Sequence, residues 1–260
     1  MILLDAGTTY AKILDTETGE RTVKRVSDLE KTFRADIGTG HNINRFANRS
    51  VNEIIALANA GKSLIKDNSF TLLDVGSRDA KYVLFENGSF IHSDWNTECG
   101  AFTGQAIEIL GHYLNVDYSN IEPQKEFITA TCGLLGMGHV FDLVAAGEES
   151  GTAAARLIKG VCISMHRFAR KPKKIYLTGG LVQNSLFVES MPCETVILDR
   201  FTLLEGVKEY ALNMNNVKYY PFLFLIRKRF NVIVHYHFDD ISAPDDAAAF
   251  FYKVIFGKII

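Results

Sequence analysis

The first 26 residues are short apolar runs cut by turn residues. Ile2-Leu3-Leu4-Asp5 ends at Gly7, and Ala11-Lys12-Ile13-Leu14-Asp15 follows closely. Thr18-Gly19-Glu20 turns the chain, and the segment from Arg21 to Val26 alternates. This pattern predicts an antiparallel meander. Ile54, Ile55 and Ala58 share one side of a predicted helix over 52–60. A second meander begins at Phe70. A run from Thr71 to Val75 ends at Gly76, a second from Lys81 to Phe85 reaches the turn Glu86-Asn87-Gly88, and Ser89-Phe90-Ile91-His92 returns. A strand–Asp–x–Gly–Ser/Thr–strand unit thus occurs twice, about 70 residues apart, as a weak internal repeat.

Helical spacing then takes over. It predicts helices over 103–114, 140–146 and 152–168, the last carrying Ala155, Ile158, Val161, Cys162, Met165 and Phe168 on one stripe. A strand over 174–178 is broken by Gly179-Gly180; a helix over 186–191 and a strand over 194–198 follow. Mixed strands and helices of this order predict an α/β fold of two lobes. The expected division is 1–69 for a reduced first lobe, 70–212 for a second, and 213–260 for an atypical segment dense in aromatics, with Arg227-Lys228-Arg229 and the alternating pair His235 and His237.

Composition narrows the function classes. The chain has 260 residues, 47% hydrophobic and 22% charged, with net charge −2 and pI near 6.4. That balance argues against nucleic acid as the main partner, which would need a basic face. No apolar run reaches the roughly 18–20 residues that span a bilayer, and Asp5 interrupts the N-terminal run with no basic stretch before it. The expectation is a cytoplasmic protein without membrane association, whose four cysteines stay reduced.

Asp5-Ala6-Gly7-Thr8-Thr9 closes a strand with a tight turn. Gly7 allows backbone N–H groups close to a phosphate, and the threonine hydroxyls add donors. Lys12 on the returning strand supplies positive charge, and Asp5 is placed to hold Mg²⁺ through water. Asp74, Gly76, Ser77, Arg78, Asp79 and Lys81 repeat the design. Any single match of this kind reads as an ordinary hairpin turn; two facing hairpins can grip a triphosphate. Gly179 and Gly180, between strand and helix, could admit an adenine or ribose, with Asn184 near the helix start. Cys99 and Cys132 read from the residues alone as two buried thiols, since two cysteines complete no metal site. Both nevertheless precede predicted helices, where thiolate and an anionic cluster are favoured. Cys162 falls in a core stripe, and Cys193 after Pro192 has no assigned role. The helical histidines His112, His139 and His166 need no chemistry.

The order D-x-G-T-T-x-x-K, D-V-G-x-x-D-x-K, T-G-G-x-x-x-N resembles the actin-like, ribonuclease-H-like ATPase fold. Within it, Ile37-Gly38-Thr39-Gly40, the segment Asn96 to Gly104, Thr129-Ala130-Thr131-Cys132 and the segment Leu177 to Asn184 resemble the ATP-dependent activators of 2-hydroxyacyl-CoA dehydratases, relatives of the ATPase subunits of benzoyl-CoA reductase. The resemblance covers about residues 1–212. It implies ATP and Mg²⁺ at the two hairpins. It also implies one [4Fe–4S] cluster held by Cys99 and Cys132 from each chain of a homodimer, and electron transfer coupled to ATP hydrolysis. A ferredoxin or flavodoxin would be the donor and a dehydratase or related reductase the acceptor. Departures from the family pattern are Ser77-Arg78 where Gly-Gln is usual, His41-Asn42 in place of a Tyr-Gly-Arg run, Glu98 in place of a lysine, a short stretch over 26–38 without room for a helix, and the aromatic terminal segment. Asp5, Arg78 and Asp79 are the candidate catalytic residues, Arg78 as a charge stabiliser in the manner of an arginine finger. Two other readings share the fold. One is a small-molecule kinase, such as a sugar or acetylamino-sugar kinase, with Asp79 or Asp94 as base; the other is a nucleotide-binding regulator without turnover.

Overall fold

Short apolar runs separated by turn residues give two sheets in the computed structural model, which describes residues 1–96, 103–129 and 132–216. In the first, β1 (Ile2–Ala6), β2 (Tyr10–Asp15) and β3 (Arg21–Arg25) are antiparallel, and β4 (Ile37–Thr39) runs parallel to β1 in the order β3-β2-β1-β4. The second sheet has the order β7-β6-β5-β8-β9, from β5 (Phe70–Val75), β6 (Ala80–Glu86), β7 (Ser89–Asn96), β8 (Lys174–Thr178) and β9 (Glu194–Ile197). β8 is parallel to β5, and β9 to β8. Between Val26 and Ile37 there is one 3₁₀ turn and no α-helix, as the short spacing implies.

The repeat is deeper than the two loop motifs. Asp5 lies opposite Lys12 on β2 and opposite Thr39 on β4; Asp74 lies opposite Lys81 on β6 and opposite Thr178 on β8. Gly7 N–H donates to the Tyr10 carbonyl at 3.1 Å, and Gly76 N–H to the Asp79 carbonyl at 2.9 Å. A glycine with positive φ follows each parallel strand, Gly40 at +102° and Gly179 at +100°. A Cβ on Gly40 would press on the Ala6 backbone, and one on Gly179 on the Val75 carbonyl, so both conformation and space require glycine. The sequence repeat sees only the hairpin half of this unit.

Seven helices cover the sheets among the described residues: α1 (Ile43–Phe46), α2 (Glu53–Leu64), α3 (Thr103–Tyr113), α4 (Gly133–Ala145), α5 (Ser150–Phe168), α6 (Ser185–Glu189) and α7 (Thr202–Asn216). Asn52 caps α2 by accepting from the Ile54 N–H, and Glu149 caps α5 by accepting from Gly151 and Thr152. β5 is buried on both faces and accordingly reads as a continuous apolar run. One face, Leu73 and Val75, packs with Ala80 and Tyr82 under α3, α4 and α5; Cys162 on α5 belongs to this core. The other face, with Leu72, Val83 and Phe85, meets Ala56 and Leu57 of α2, Leu204 and Val207 of α7, and Leu3 and Ile37 of the first sheet. Each buried Leu, Ile, Val or Phe among them contributes about 1.5–3 kcal/mol by burial. Leu4, Ala6 and Ala11 cover the far face of the first sheet with Leu29, Ile43 and Phe46. No described helix is long and apolar enough to cross a membrane. Cys99 and Glu98, the segment beyond residue 216 with Arg227 to Arg229, and His235 and His237 lie outside the described residues.

Candidate functional site

The duplicated hairpins bring buried charge to one place. In the first, Lys12 Nζ donates to Asp5 Oδ2 at 2.7 Å, both side chains nearly buried. Burial works against the Lys12 charge, but Asp5 and Asp74 outweigh it and raise its pKa. In the second, Lys81 Nζ lies 2.6 Å from Glu53 Oε2, 2.9 Å from Asp79 Oδ1 and 3.9 Å from Asp74 Oδ2. Burial opposes the Lys81 charge as well, and Asp74, Glu53 and Asp79 together hold it protonated. Asp74 is pushed up by burial, with Lys81 and Lys12 pulling the other way. The tips of the two loops meet, Thr9 Oγ1 standing 3.2 Å from Ser77 Oγ. The structure therefore brings together Asp5, Gly7, Thr8, Thr9 and Lys12 with Asp74, Gly76, Ser77, Asp79 and Lys81. Arg78 is exposed at the second loop. Gly179 and Gly180 follow β8 as expected, and the Asn184 side chain caps α6, accepting from the Phe187 N–H at 2.9 Å. Asp94 accepts from the N–H of neighbouring Trp95 and is exposed, away from this cluster of contacts.

Five further residues carry no sequence signal that marks them as site residues. Glu53 opens α2, where an acidic residue is ordinary, and only the structure shows it buried against Lys81. Trp95 donates its indole N–H to Asp79 Oδ2 at 2.9 Å, with Lys81 Nζ 4.9 Å from its ring centroid. Asn42 donates to the Gly7 carbonyl at 2.7 Å and Tyr10 to Glu108 of α3 at 3.0 Å. Arg200 Nε is buried with no hydrogen-bond partner, and its charge bears on both Lys12 and Tyr10.

α3 touches both hairpins. Besides Glu108 on Tyr10, the Gln105 N–H donates to the Ser77 carbonyl at 2.9 Å. A Cβ on Gly104 would stand 2.6 Å from the Gly76 carbonyl oxygen, so the helix start rests directly on the second loop. Cys132, half-buried, occupies the N-cap of α4 with extended backbone. The helix amides there favour a thiolate. Among the described residues no group of three or more His, Cys, Asp or Glu could hold a metal ion by itself. Cys162 is buried, its thiol donating to the Phe187 carbonyl, and burial pushes its pKa up. His112 and His139 are exposed, and His166 Nε2 lies 2.9 Å from the Pro172 carbonyl oxygen.

No family model matches the chain. It is 25% identical over 165 residues to the (R)-2-hydroxyglutaryl-CoA dehydratase activating ATPase of Acidaminococcus fermentans, covering 60% of this chain and 63% of that protein. It is 23% identical over 158 residues to the 2-hydroxyisocaproyl-CoA dehydratase activator of Clostridioides difficile, covering 57% of this chain and 59% of the relative. Its relatives are dehydratase activators. That is the family whose motifs the sequence resembles, although the matches span less than two thirds of each relative. In structure the chain resembles the activator of the 2-hydroxyisocaproyl-CoA dehydratase from Clostridium difficile with bound ADPNP, with a TM-score of 0.65 and 19% identity over 85% of this chain and 99% of that one. Component A of the A. fermentans (R)-2-hydroxyglutaryl-CoA dehydratase gives the same TM-score and identity over 84% of this chain and 99% of its own. At that identity the likeness shows the fold, which is the actin-like ATPase fold.

Proposed function

We propose that the chain is an ATP-dependent activator. It would transfer a low-potential electron from a [4Fe–4S] cluster to a dehydratase-like or related reductase partner, coupled to ATP hydrolysis. The observation that carries this reading is the duplicated lysine–carboxylate hairpin pair with α3 resting on both loops. The relatives add support, one of them known with bound ADPNP. The lobes are taken as 1–69 and 70–212, each contributing one hairpin. Backbone N–H groups at Thr8, Thr9 and Ser77 would receive the phosphates, with Gly7 and Gly76, whose own N–H groups close the hairpins, giving the close approach. Lys12 and Lys81 supply charge, Asp5 holds Mg²⁺ through water, and Asp74 supports Lys81. Gly179, Gly180 and Asn184 border the adenosine. Asp79 orients the attacking water, and exposed Arg78 stabilises the leaving charge in place of the usual glutamine.

The cysteine chemistry fits a cluster: Cys132 stands at a helix N-terminus, and two ligands per chain, Cys99 and Cys132, complete a set of four in a homodimer. Leu134 and Leu135, in the first turn of α4 beyond Cys132, are exposed, and an apolar face of that kind suits a second copy. When bound, the cluster supplies one-electron transfer, with ferredoxin or flavodoxin as donor. What the chain's own residues contribute is a link. A nucleotide that parts Thr9 from Ser77 moves the Gly76 loop, and with it the α3 start at Gly104 and Gln105. Such coupling requires that ATP bind the two arrangements unequally.

Two outcomes separate this reading from a kinase. ATP given with no second substrate is expected to be hydrolysed to ADP slowly, and a panel of hexoses and acetylamino-sugars should leave the rate unchanged. A sugar-dependent rise in rate would move the function to phosphoryl transfer.

Trp95 offers a direct readout of nucleotide binding, being the one tryptophan in the chain. Its indole is held by Asp79. MgADPNP is therefore expected to shift its emission saturably, and Asp79→Asn to diminish the shift; an emission indifferent to nucleotide would contradict the placement of Asp79.

Glu53 gives a pH signature. Burial pushes its carboxyl up to about 7, with the adjacent Lys81 ammonium acting in the opposite direction. The folded state thus holds a proton that the unfolded chain releases nearer the ordinary 4.5. Native protein binds more protons across that window, so the stability due to Glu53 falls as pH rises through it. The unfolding free energy of wild type minus that of Glu53→Gln is expected to fall between about pH 5 and pH 8. A difference flat with pH would contradict the assignment.

A further inference from the structure

A cavity borders the first phosphate loop at Thr8, and no residue of the second loop lines it. It has a volume of about 550 Å³, within the range of small-molecule sites. Its polar wall includes Thr8 and Asn42, and its apolar floor Leu29 and Phe46. Three cations line it, Lys31, Arg34 and Arg45, and no carboxylate does. None of the three forms an ion pair among the described residues, although the chain as a whole is slightly acidic. Two are held in place by their surroundings. The Arg34 guanidinium donates to the Lys31 and Phe33 carbonyls at 2.9 and 2.7 Å, and Arg45 stands 5.1 Å over the Phe46 ring. Unpaired positive charge gathered over an apolar floor is what a small molecule with several negative groups needs. The planar arginine fork matches carboxylate and phosphate oxygens alike.

We propose that this cavity binds a compact polyanion, a phosphate ester or a polycarboxylate, whose carbon frame lies on Leu29 and Phe46 while its charges meet Arg34, Arg45 and Lys31. Asn42 lines the same cavity and donates to the Gly7 carbonyl, so an occupant there sits against the first phosphate loop. The site shares Thr8 with the first phosphate loop but none of Lys12, Ser77, Asp79 or Lys81, and it is measured without nucleotide.

The test is calorimetric titration of the full chain with citrate and, separately, with fructose 1,6-bisphosphate, each to about 10 mM. At least one is expected to bind. Citrate binding alone assigns a carboxylate ligand, and bisphosphate binding alone a phosphate ester. Arg34→Gln/Arg45→Gln is expected to weaken the binding by at least about tenfold, the value of one lost charge-assisted hydrogen bond, while the MgADPNP response of Trp95 stays as in wild type. Asp5→Asn/Lys12→Met, which removes both charges of the buried pair, should lose nucleotide and keep the polyanion. Should Arg34→Gln/Arg45→Gln fail to fold, wild-type protein is modified with phenylglyoxal. The bound polyanion is expected to protect Arg34 and Arg45 but not exposed Arg49. Binding of neither probe, undiminished binding in Arg34→Gln/Arg45→Gln, or probe binding lost in folded Asp5→Asn/Lys12→Met would each overturn the site.

Discussion

Lys12→Met is expected to reduce affinity for MgATP by about 100-fold and to destabilise the fold by about 3–5 kcal/mol. The first figure follows from losing a charged contact to phosphate, at about 1.5–3 kcal/mol, in a cleft where Asp5 then repels the ligand. The second follows from burial. Lys12 and Asp5 are both nearly buried and 2.7 Å apart, so removing the ammonium leaves an uncompensated carboxylate in the core. Asp5→Asn/Lys12→Met separates the two effects, because it removes both charges. Stability should return most of the way toward wild type while ATP affinity stays low, a non-additivity that urea unfolding of the four proteins reads directly. A Lys12→Met protein that binds MgATP as wild type does would remove the first hairpin from the nucleotide site.

Gly104→Ala carries the second large effect. The added Cβ would meet the Gly76 carbonyl at 2.6 Å and the Ser77 Cα at 2.9 Å, and backbone does not yield as a flexible side chain would. Either α3 withdraws from the second loop or the loop is displaced, at a cost of about 1–3 kcal/mol. In both cases the Gln105 N–H to Ser77 carbonyl bond lengthens. The expected result is a folded protein whose ATP hydrolysis falls by about tenfold or more, the kinetic equivalent of that cost. Any change at the cysteine helices on nucleotide addition should also be lost. Hydrogen exchange in α3 and α4, with and without MgADPNP, reads the coupling. Unchanged exchange differences in Gly104→Ala would mean that the helices are not driven through this contact.

Much of this arrangement is written in the sequence in a form that periodicity can read. β5 is continuous apolar residues because both of its faces are covered, and α5 shows its stripe because one face meets the sheet. The hairpins announce themselves because their geometry demands Asp, Gly and Lys at fixed spacing. Other parts depend on distance in space. Thr39 and Thr178 are equivalent only through their register opposite Asp5 and Asp74. Both are buried and donate to distant carbonyls, Val51 at 2.9 Å and Asp199 at 2.8 Å, contacts without any local pattern. Glu53 looks like a common helix-start carboxylate, and Trp95 like one more strand aromatic, until folding places both beside Lys81 and Asp79. α7 follows β9 and carries Gly206, a poor helix former, in its interior because it passes close to the Ala56 backbone of α2, a contact without any local pattern. Only the family resemblance points to Cys99 and Cys132 as ligands, since spacing by itself favours a pair of buried thiols. The structure adds the position of Cys132 at the head of α4.

In the proposed function these two cysteines hold one redox cluster between two copies of an ATP-driven activator. Iron and acid-labile sulfide per protomer, measured after anaerobic reconstitution together with the mass in solution, test it most directly on wild type, Cys99→Ala and Cys132→Ala. About two irons and two sulfides per protomer in a dimer, lost in either variant, is the predicted result for one bridging [4Fe–4S] cluster. A protein that binds MgATP yet takes up no iron would contradict the activator reading.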